Sequence, residues 1–353
     1  MDQTTYRILK GLGSSPGKDY SINSLTRELG AGSHKAYYKN VYDKIKELNK
    51  EGNIILEKTG NSSRISINYD DYGTILLLSQ LELMKERELL EGDLELKMLL
   101  SDISTSFSRD FCCIKYIAIN HPHRNRSLNR QEFLFALKDR ATKKDTIDIY
   151  RKMLDLEAAH NIKLDCLILR ENELRELFKE QAHNPLKEMI PEQTILKYQE
   201  EYWQEIKKML EEGINIRGAE EINPAKIDEK DLSYNLGRFG YKETGGTIEK
   251  GKNYAIETII ISLMLNGDAR RMEAIPLILS KNRERGRKPI YNLLIFLAKK
   301  YRKEEKIHAY LKLLNTGKNK ENKDATDIMT ALGIKPAKID EKTIRQKMRL
   351  YNG

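Results

Sequence analysis

Cysteine is scarce in this sequence, and long apolar runs are missing. The 353 residues include three cysteines, and no two of them have the Cys-x-x-Cys spacing of a metal site. So few cysteines exclude a disulfide framework and favour a reducing compartment. Apolar runs such as residues 259–265 fall well short of the roughly 20 residues that a membrane-spanning helix needs. The first ten residues also lack the apolar core of a signal peptide, so we expect a cytoplasmic protein without a membrane partner.

Positive charge is concentrated toward the two ends of the chain. The net charge is +9, of which residues 1–70 carry +3, residues 71–215 carry −5 and residues 216–353 carry +11. Because basic surfaces attract phosphate polyanions, nucleic acid is the first partner to consider. The alternative for the C-terminal part is a solvated surface whose lysines bind no partner. The length allows two or three domains.

Residues 2–70 have the pattern of three helices followed by a hairpin. Apolar spacing predicts the helices, with Ser21 as the N-cap of the second, and two β-type runs after Gly52 predict the hairpin. The expected bounds are 6–12, 22–29 and 33–50 for the helices, and 53–58 and 64–68 for the strands. This order resembles that of the winged helix-turn-helix family. The resemblance implies a DNA-binding module whose third helix and hairpin contact the duplex.

The third helix of this segment has an apolar face and a polar face. Val41, Ile45 and Leu48 share one face and are expected in the core. Cationic and aromatic side chains occupy the opposite face, and the resemblance implies that they enter the major groove of double-stranded DNA. It also implies that the hairpin reaches the DNA backbone or the minor groove. The candidate DNA-binding residues are His34, Lys35, Tyr38, Lys39, Tyr42 and Arg64. The alternative is that the same fold forms a protein contact or a dimer.

Residues 71–100 have few helix breakers and predict one or two connecting helices, interrupted near Gly92. Two alternatives remain for these helices. They either pair across a homodimer or pack on the next domain. Residues 101–215 then alternate strands with helices, which predicts an α/β layer. The expected strands are 114–120, 133–137 and 164–169, and the expected helices are 145–160 and 171–181.

The central pattern resembles the nucleotidyltransferase superfamily of DNA polymerase β, including its minimal archaeal and bacterial members. The similarity is carried by NRQEFLFALKD and by KLDCLILRENELRELFKEQAHNPLKEMIPEQTILKYQEEYW. The resemblance implies three carboxylates that hold two Mg²⁺ ions. Glu132 and Asp165 match the second and third carboxylates and are the candidate catalytic residues, but Arg130 stands at the first position. Because its fixed positive charge opposes a cation site, we expect a degenerate domain without a metal.

Arginines near these positions offer hydrogen-bond donors for phosphate groups. The candidate phosphate-binding residues are Arg124, Arg126 and Arg130 in the central part, and Arg283, Arg285, Arg287 and Lys288 in the C-terminal part. The first group suits a nucleotide or phosphate that is bound without turnover. Two alternatives remain for the second group. These residues either contact nucleic acid or belong to a solvated surface that binds no partner.

The last third of the chain predicts a linker and a helical bundle. Five glycines between residues 237 and 251 favour a linker over residues 216–253. The heptapeptide Pro-Ala-Lys-Ile-Asp-Glu-Lys occurs twice, with Asp228 and Asp340 placed as helix N-caps. The expected helices are 254–265, 269–280, 290–301 and 306–314, with a last pair near 327–332 and 343–350.

These patterns together predict an α+β multidomain protein. Its expected parts are a winged helix-turn-helix at 1–70, a helical connector at 71–100, a nucleotidyltransferase-like α/β domain at 101–215, a linker at 216–253 and a basic helical domain at 254–353. The leading hypothesis is a DNA-binding transcription regulator without a cofactor, whose degenerate central domain senses a ligand or supports assembly. The alternative is an active nucleotidyltransferase that uses Mg²⁺ and acts on protein or RNA. A protein-interaction scaffold is the third hypothesis.

Overall fold

The computed structural model describes residues 1–30, 38–59, 62–107, 111–120, 129–241, 250–266, 269–284, 289–315 and 320–352. Over these residues the chain is an α+β protein with two small sheets, so the predicted fold class is confirmed at that level. The chain divides into two compact units. The first contains Met1–Leu137, Leu174–Lys179 and Leu186–Glu220, and the second contains Lys138–Glu173, Glu180–Pro185 and Glu221–Gly353.

The described residues of the first unit begin with three helices and three strands. They are α1 (Gln3–Gly13), β1 (Tyr20–Ser21), α2 (Ile22–Gly30), α3 (Tyr38–Lys50), β2 (Ile54–Thr59) and β3 (Ser62–Ile67). Strand β3 pairs antiparallel with both β1 and β2, which gives the sheet order β1-β3-β2. The Ser21 hydroxyl accepts the N–H of Ser24 at 3.0 Å and caps α2, as predicted. The expected start of the third helix, at residues 33–37, and the hairpin tip, at 60–61, lie outside the described residues.

One face of each helix in this part of the unit is buried. Val41, Ile45 and Leu48 of α3 are at most 2% exposed, as their spacing predicts. Ile8 and Leu9 of α1 are fully buried. Burial of each such side chain stabilises the fold by about 1.5–3 kcal/mol. The opposite face of α3 is therefore the one left to solvent.

Two helices and two strands follow in the first unit. They are α4 (Tyr72–Leu90), α5 (Leu94–Ser106), β4 (Ile114–Asn120) and β5 (Arg130–Leu137). The chain turns between α4 and α5 at Gly92, whose φ of 75° lies in the left-handed region that favours glycine, so the predicted interruption is confirmed. Strand β4 has the predicted bounds and pairs antiparallel with β5, with Asn120 opposite Glu132.

The next stretch contributes elements to both units. These elements are α6 (Lys143–His160), β6 (Lys163–Arg170), α7 (Glu171–Lys179), α8 (Pro185–Met189), β7 (Thr194–Lys197) and α9 (Gln199–Glu211). In the second unit, α6 packs against β6. In the first unit, β7 pairs antiparallel with β4, while α4 packs against α1, α9 and β7.

The remaining helices belong to the second unit. They are α10 (Glu229–Arg238), α11 (Ile256–Asn266), α12 (Ala269–Met272), α13 (Ala274–Glu284), α14 (Tyr291–Lys300), α15 (Glu304–Leu313), α16 (Lys320–Ala331) and α17 (Glu341–Asn352). The single helix predicted over 269–280 is wrong, because α12 and α13 are separated at Glu273. Pro276 accounts for the break, since it has no N–H to donate to the carbonyl of Met272 in a continuous helix.

Helix α10 lies inside the segment for which the sequence predicts a linker. Asp228 caps its start by accepting the N–H of Asp231 at 2.7 Å, as the repeated heptapeptide predicts. The side chains of Asp231 and Asn235 are buried, and they accept the N–H groups of Lys252 at 2.8 Å and Tyr254 at 3.0 Å. Leu232, Leu236 and Phe239 share the buried apolar face of α10, so polar contacts as well as apolar ones hold this helix.

Helix α11 is covered on all of its sides. Three consecutive residues, Ile259, Ile260 and Ile261, are fully buried, so no face of this part of the helix meets solvent. Helices α10 and α14 pack against it, as does the short turn Pro224–Lys226. Within the described ranges, no helix is both long enough and apolar enough to cross a membrane.

Candidate nucleic-acid interface

Helix α3 presents a row of aromatic and basic side chains that runs along the helix beside its buried face. Tyr38, Tyr42 and Lys46 are four residues apart, so they follow one another along the helix. The rings of Tyr38 and Tyr42 stack with their centroids 6.1 Å apart and 14° between their planes. The ammonium group of Lys46 lies 4.4 Å from the centroid of the Tyr42 ring, and Lys39 is exposed on the same turn as Tyr38. We refer to these four residues as the α3 surface.

The α3 surface is both exposed and charged. The Tyr38 side chain is 51% exposed, which is a large fraction for an aromatic residue. The hydrogen bond to Tyr42 raises the pKa of Lys46. Lys39 and Lys46 are both exposed, and exposed lysines are charged at neutral pH. Stacking and the cation–π contact hold the three side chains of the row in place. The surface therefore offers ordered donors for phosphates and base edges.

The structure brings three of the predicted residues together on this surface, namely Tyr38, Lys39 and Tyr42. His34 and Lys35 lie outside the described residues. Lys46 was not predicted as part of the interface. Its spacing of four residues from Tyr42 is the signal that points to it, because residues i and i+4 are neighbours on a helix.

Arg64 differs from the α3 surface in its surroundings. It lies on β3, where its exposed guanidinium forms an ion pair with Asp19. Its cross-strand neighbour on β2 is Glu57. Both carboxylates compete with a DNA phosphate for this guanidinium, so a contact between Arg64 and DNA requires that the ion pair opens or is shared.

The two candidate catalytic carboxylates are buried in different units. Glu132 lies on β5 of the first unit and is 2% exposed, and Arg130 is half-buried at the start of the same strand. Asp165 lies on β6 of the second unit and is fully buried, with its Oδ1 3.9 Å from the Nζ of Lys163. Across the described ranges, no three His, Cys, Asp or Glu side chains are grouped so as to hold a metal ion.

Most of the candidate phosphate-binding residues lie outside the described residues. These are Arg124, Arg126, Arg285, Arg287 and Lys288. Arg283 belongs to α13. A second basic stretch in this part of the chain covers residues 299–306. There, Lys299 lies 5.7 Å from the ring centroid of Tyr150, and Lys300 forms an ion pair with Glu221 at 3.4 Å. These two lysines have partners within their own unit, which favours a structural interpretation of that stretch.

The α3 surface is thus the candidate site with the best-defined geometry in the described part of the chain. It joins two stacked tyrosines with two lysines on a helix whose other face is fixed in the core. Comparison of the whole chain with protein-family models, with curated proteins and with solved structures found no match.

Proposed function

We propose that this protein binds double-stranded DNA through the α3 surface and regulates transcription. The observation that carries the proposal is the row of Tyr38, Tyr42 and Lys46, with Lys39 beside it, on the exposed side of α3. The major groove is wide enough to admit a helix of this kind. Lysine side chains bind phosphates, and tyrosine hydroxyls bind phosphates and base edges.

The elements around α3 support the same proposal. Helices α1 to α3 and the hairpin of β2 and β3 follow one another in the order expected of a winged helix-turn-helix. In this interpretation α3 is the recognition helix and the hairpin is the wing. The positive net charge of residues 1–70 suits a polyanionic partner.

The test is the double variant Lys39→Ala/Lys46→Ala, measured by fluorescence anisotropy with a labelled duplex selected from a random-sequence pool. Loss of two phosphate contacts should weaken binding and reduce the slope of log K against log salt concentration by about 2. The slope is informative because it counts phosphate contacts and does not depend on the selected sequence.

The matched control is Lys97→Ala/Lys208→Ala, which removes the same charge from exposed positions on α5 and α9. We expect this control to keep the slope of the parent protein. An equal loss in both double variants would mean that net charge alone attracts DNA. A parent-like slope in Lys39→Ala/Lys46→Ala would remove the α3 surface from the proposal and favour a protein-interaction scaffold.

The proposal assigns no catalysis to the part of the chain that carries Glu132 and Asp165. Two observations support this choice. Arg130 brings a fixed positive charge to the start of β5, and Lys163 lies 3.9 Å from the carboxylate of Asp165. In the proposal, this part of the protein serves the DNA-binding part as a ligand-sensing or assembly module.

A further inference from the structure

The first unit contains a cavity that the DNA-binding proposal does not use. Its volume is about 200 Å³. The walls come from α1, α4, α9, the short turn Ile190–Glu192 and the residues that lead into β7. Helix α1 contributes Lys10 and Gly13 to the wall, followed by Ser14 at its C-terminal end, and the helix also packs against α3.

The charged groups of the cavity wall are largely paired with one another. Lys10 contacts Glu88 at 3.1 Å, and Lys85 contacts Glu82 at 3.0 Å. Lys85 also donates to the carbonyl of Gln193. Because a carboxylate already binds each of these lysines, the cavity has little attraction for a phosphate or carboxylate ligand. An uncharged ligand fits this wall better.

Two buried polar groups of the wall lack partners among the described residues. The indole N–H of Trp203 and the side-chain oxygen of Gln193 form no hydrogen bond there, although both residues are at most 2% exposed. The Gln193 side-chain amide uses its nitrogen to donate to the Tyr202 hydroxyl at 2.6 Å. Each unpartnered buried group costs about 1–3 kcal/mol. Both atoms have almost no accessible surface, so a ligand reaches them only by shifting the two side chains. A ligand that does so, and that offers an acceptor to Trp203 and a donor to Gln193, would offset that cost.

Aromatic rings give the cavity a preference for flat molecules. The rings of Tyr202 and Trp203 meet edge to face with their centroids 4.9 Å apart, and both residues line the wall. Burial raises the pKa of Tyr202 well above its ordinary value, so its phenol stays neutral. A planar ring with polar atoms at its edge can contact such walls and reach the polar groups of Gln193 and Trp203.

We propose that this cavity binds a small, uncharged, planar heterocycle of the nucleobase type, and that binding changes the affinity of the protein for DNA. The second half of the proposal rests on the proposed function. The physical link is Gly13, where a Cβ atom would lie only 3.2 Å from the Trp203 ring, so α1 rests directly on the indole. A ligand that moves this indole also moves α1, which packs against α3.

The sequence itself supplies the probe for binding, because Trp203 is the single tryptophan of the chain. Adenine, hypoxanthine and nicotinamide are titrated into the full-length protein without DNA, and the intrinsic fluorescence of Trp203 is recorded. We expect a saturable change with at least one of these rings. AMP, which adds a ribose and a phosphate to adenine, should bind at least about tenfold more weakly than adenine, since the cavity is small and its lysines are already paired.

Three variants separate ligand binding from general damage to the fold. Ser14→Phe places a bulky ring in the cavity wall and should abolish the response, whereas Ser101→Phe at an exposed position of α5 should keep it. Trp203→Phe removes only the N–H donor and part of the ring, and calorimetry should then show about tenfold weaker binding, which corresponds to about 1.4 kcal/mol. Unfolding temperatures of the free variants show whether each has folded.

The outcomes distinguish the proposed ligand binding in the cavity from the proposed DNA binding by the α3 surface. No saturable response to any ring would mean that the cavity holds only water, and tighter binding of AMP than of adenine would make it an anion site. Either result overturns the proposal. Binding that leaves DNA affinity unchanged at saturating ligand overturns the coupling alone. A protein that binds adenine but no DNA supports the cavity and contradicts the proposed function.

Discussion

Glu257 is a carboxyl group near the start of the otherwise apolar helix α11. It is 2% exposed, and its Oε1 accepts the N–H of Ile290 at 2.6 Å. Burial, with a smaller effect of the nearby Glu180 carboxylate, raises the pKa of Glu257 to about 8. The residue is therefore protonated in the folded protein at pH values where an exposed glutamate is ionised.

The raised pKa predicts a specific dependence of stability on pH. In the unfolded chain the carboxyl group titrates at its ordinary value of 4.5, so folding takes up a proton between that pH and about 8. The contribution of Glu257 to the free energy of unfolding is largest below pH 4.5 and falls as the pH rises to about 8. Glu257→Gln keeps an acceptor for Ile290 and removes the titration, so it should stabilise the protein near pH 9 by a few kcal/mol, at about 1.4 kcal/mol per pKa unit.

Urea unfolding of the parent and Glu257→Gln at a series of pH values measures this effect. The exposed Glu95→Gln serves as the control and should follow the parent curve. If the two variants and the parent had parallel pH profiles, Glu257 would titrate normally in the folded protein and the prediction would be wrong.

The α3 surface shows how far single residues could be assigned from the sequence. The burial of Val41, Ile45 and Leu48 is confirmed, because their spacing leaves one choice of core face. That choice also predicts the exposure of Lys39, which lies on the far side of the helix from these three residues. The ion pair of Arg64 with Asp19 was not predictable, because it joins residues that are 45 positions apart and meet only in the folded sheet.

Among the elements, those with a strong local signal were predicted well. Strand β4 has the predicted bounds, since its isoleucines and its tyrosine form a short run of residues that favour strands. The turn between α4 and α5 was placed correctly by Gly92, because a positive φ strongly favours glycine. In both cases the residues that determine the structure are next to one another in the sequence.

Elements that depend on distant contacts were missed. Strand β1 has only two residues and exists because Tyr20 and Ser21 pair with Ile65 and Arg64 of β3. Helix α10 was missed because its buried Asp231 and Asn235 have the polarity of loop residues. Their partners, Lys252 and Tyr254, lie about 20 residues further along the chain. The periodicity of a short element does not predict which distant residues its backbone or polar side chains will contact.

The two copies of the heptapeptide allow a paired test of helix capping. Asp228 caps α10, and Asp340 accepts the N–H of Thr343 at 3.1 Å at the start of α17. We expect Asp228→Ala to lower the free energy of unfolding by about 1 kcal/mol, since the cap bond is partly buried and the helix packs against α11. Asp340→Ala should have a smaller effect because the cap bond of Asp340 is exposed.

Equilibrium unfolding in urea measures both losses. Asp228→Asn keeps a capping oxygen and should restore most of the stability that Asp228→Ala loses. A parent-like stability of Asp228→Ala, or a failure of Asp228→Asn to restore it, would show that the cap bond does not stabilise α10.

In the molecule as a whole, positive charge has different surroundings in the two parts of the chain. Near the N-terminus, Lys39 and Lys46 lie on an exposed helix surface. In the C-terminal part, which carries the larger net charge, Lys299 and Lys300 contact Tyr150 and Glu221 of the same unit. Net charge alone therefore does not identify a candidate surface for nucleic acid, and the exposure of the individual cations is needed.

The whole protein should be inactive as a nucleotidyltransferase. Two-metal transfer needs carboxylates that neutralise the bound cations. Here Lys163 lies 3.9 Å from the fully buried Asp165, and Arg130 adds a fixed positive charge at the position expected for the first carboxylate. These cations oppose the binding of Mg²⁺ at the candidate carboxylates. We therefore expect no transfer of label from ATP, CTP, GTP or UTP to the protein itself, to tRNA or to a partner protein, with Mg²⁺ or Mn²⁺ present.

The measurement is the incorporation of radiolabel from each nucleoside triphosphate into acid-insoluble material. Asp165→Ala is assayed beside the parent, and Asp155→Ala, which removes an exposed carboxylate of α6, is the matched control. Without catalysis, all three proteins give the background signal. Incorporation by the parent and by Asp155→Ala that disappears in Asp165→Ala would contradict the prediction. In that case Asp165 would take part in catalysis despite its ion pair with Lys163, and the transferase would replace the regulator as the function best supported.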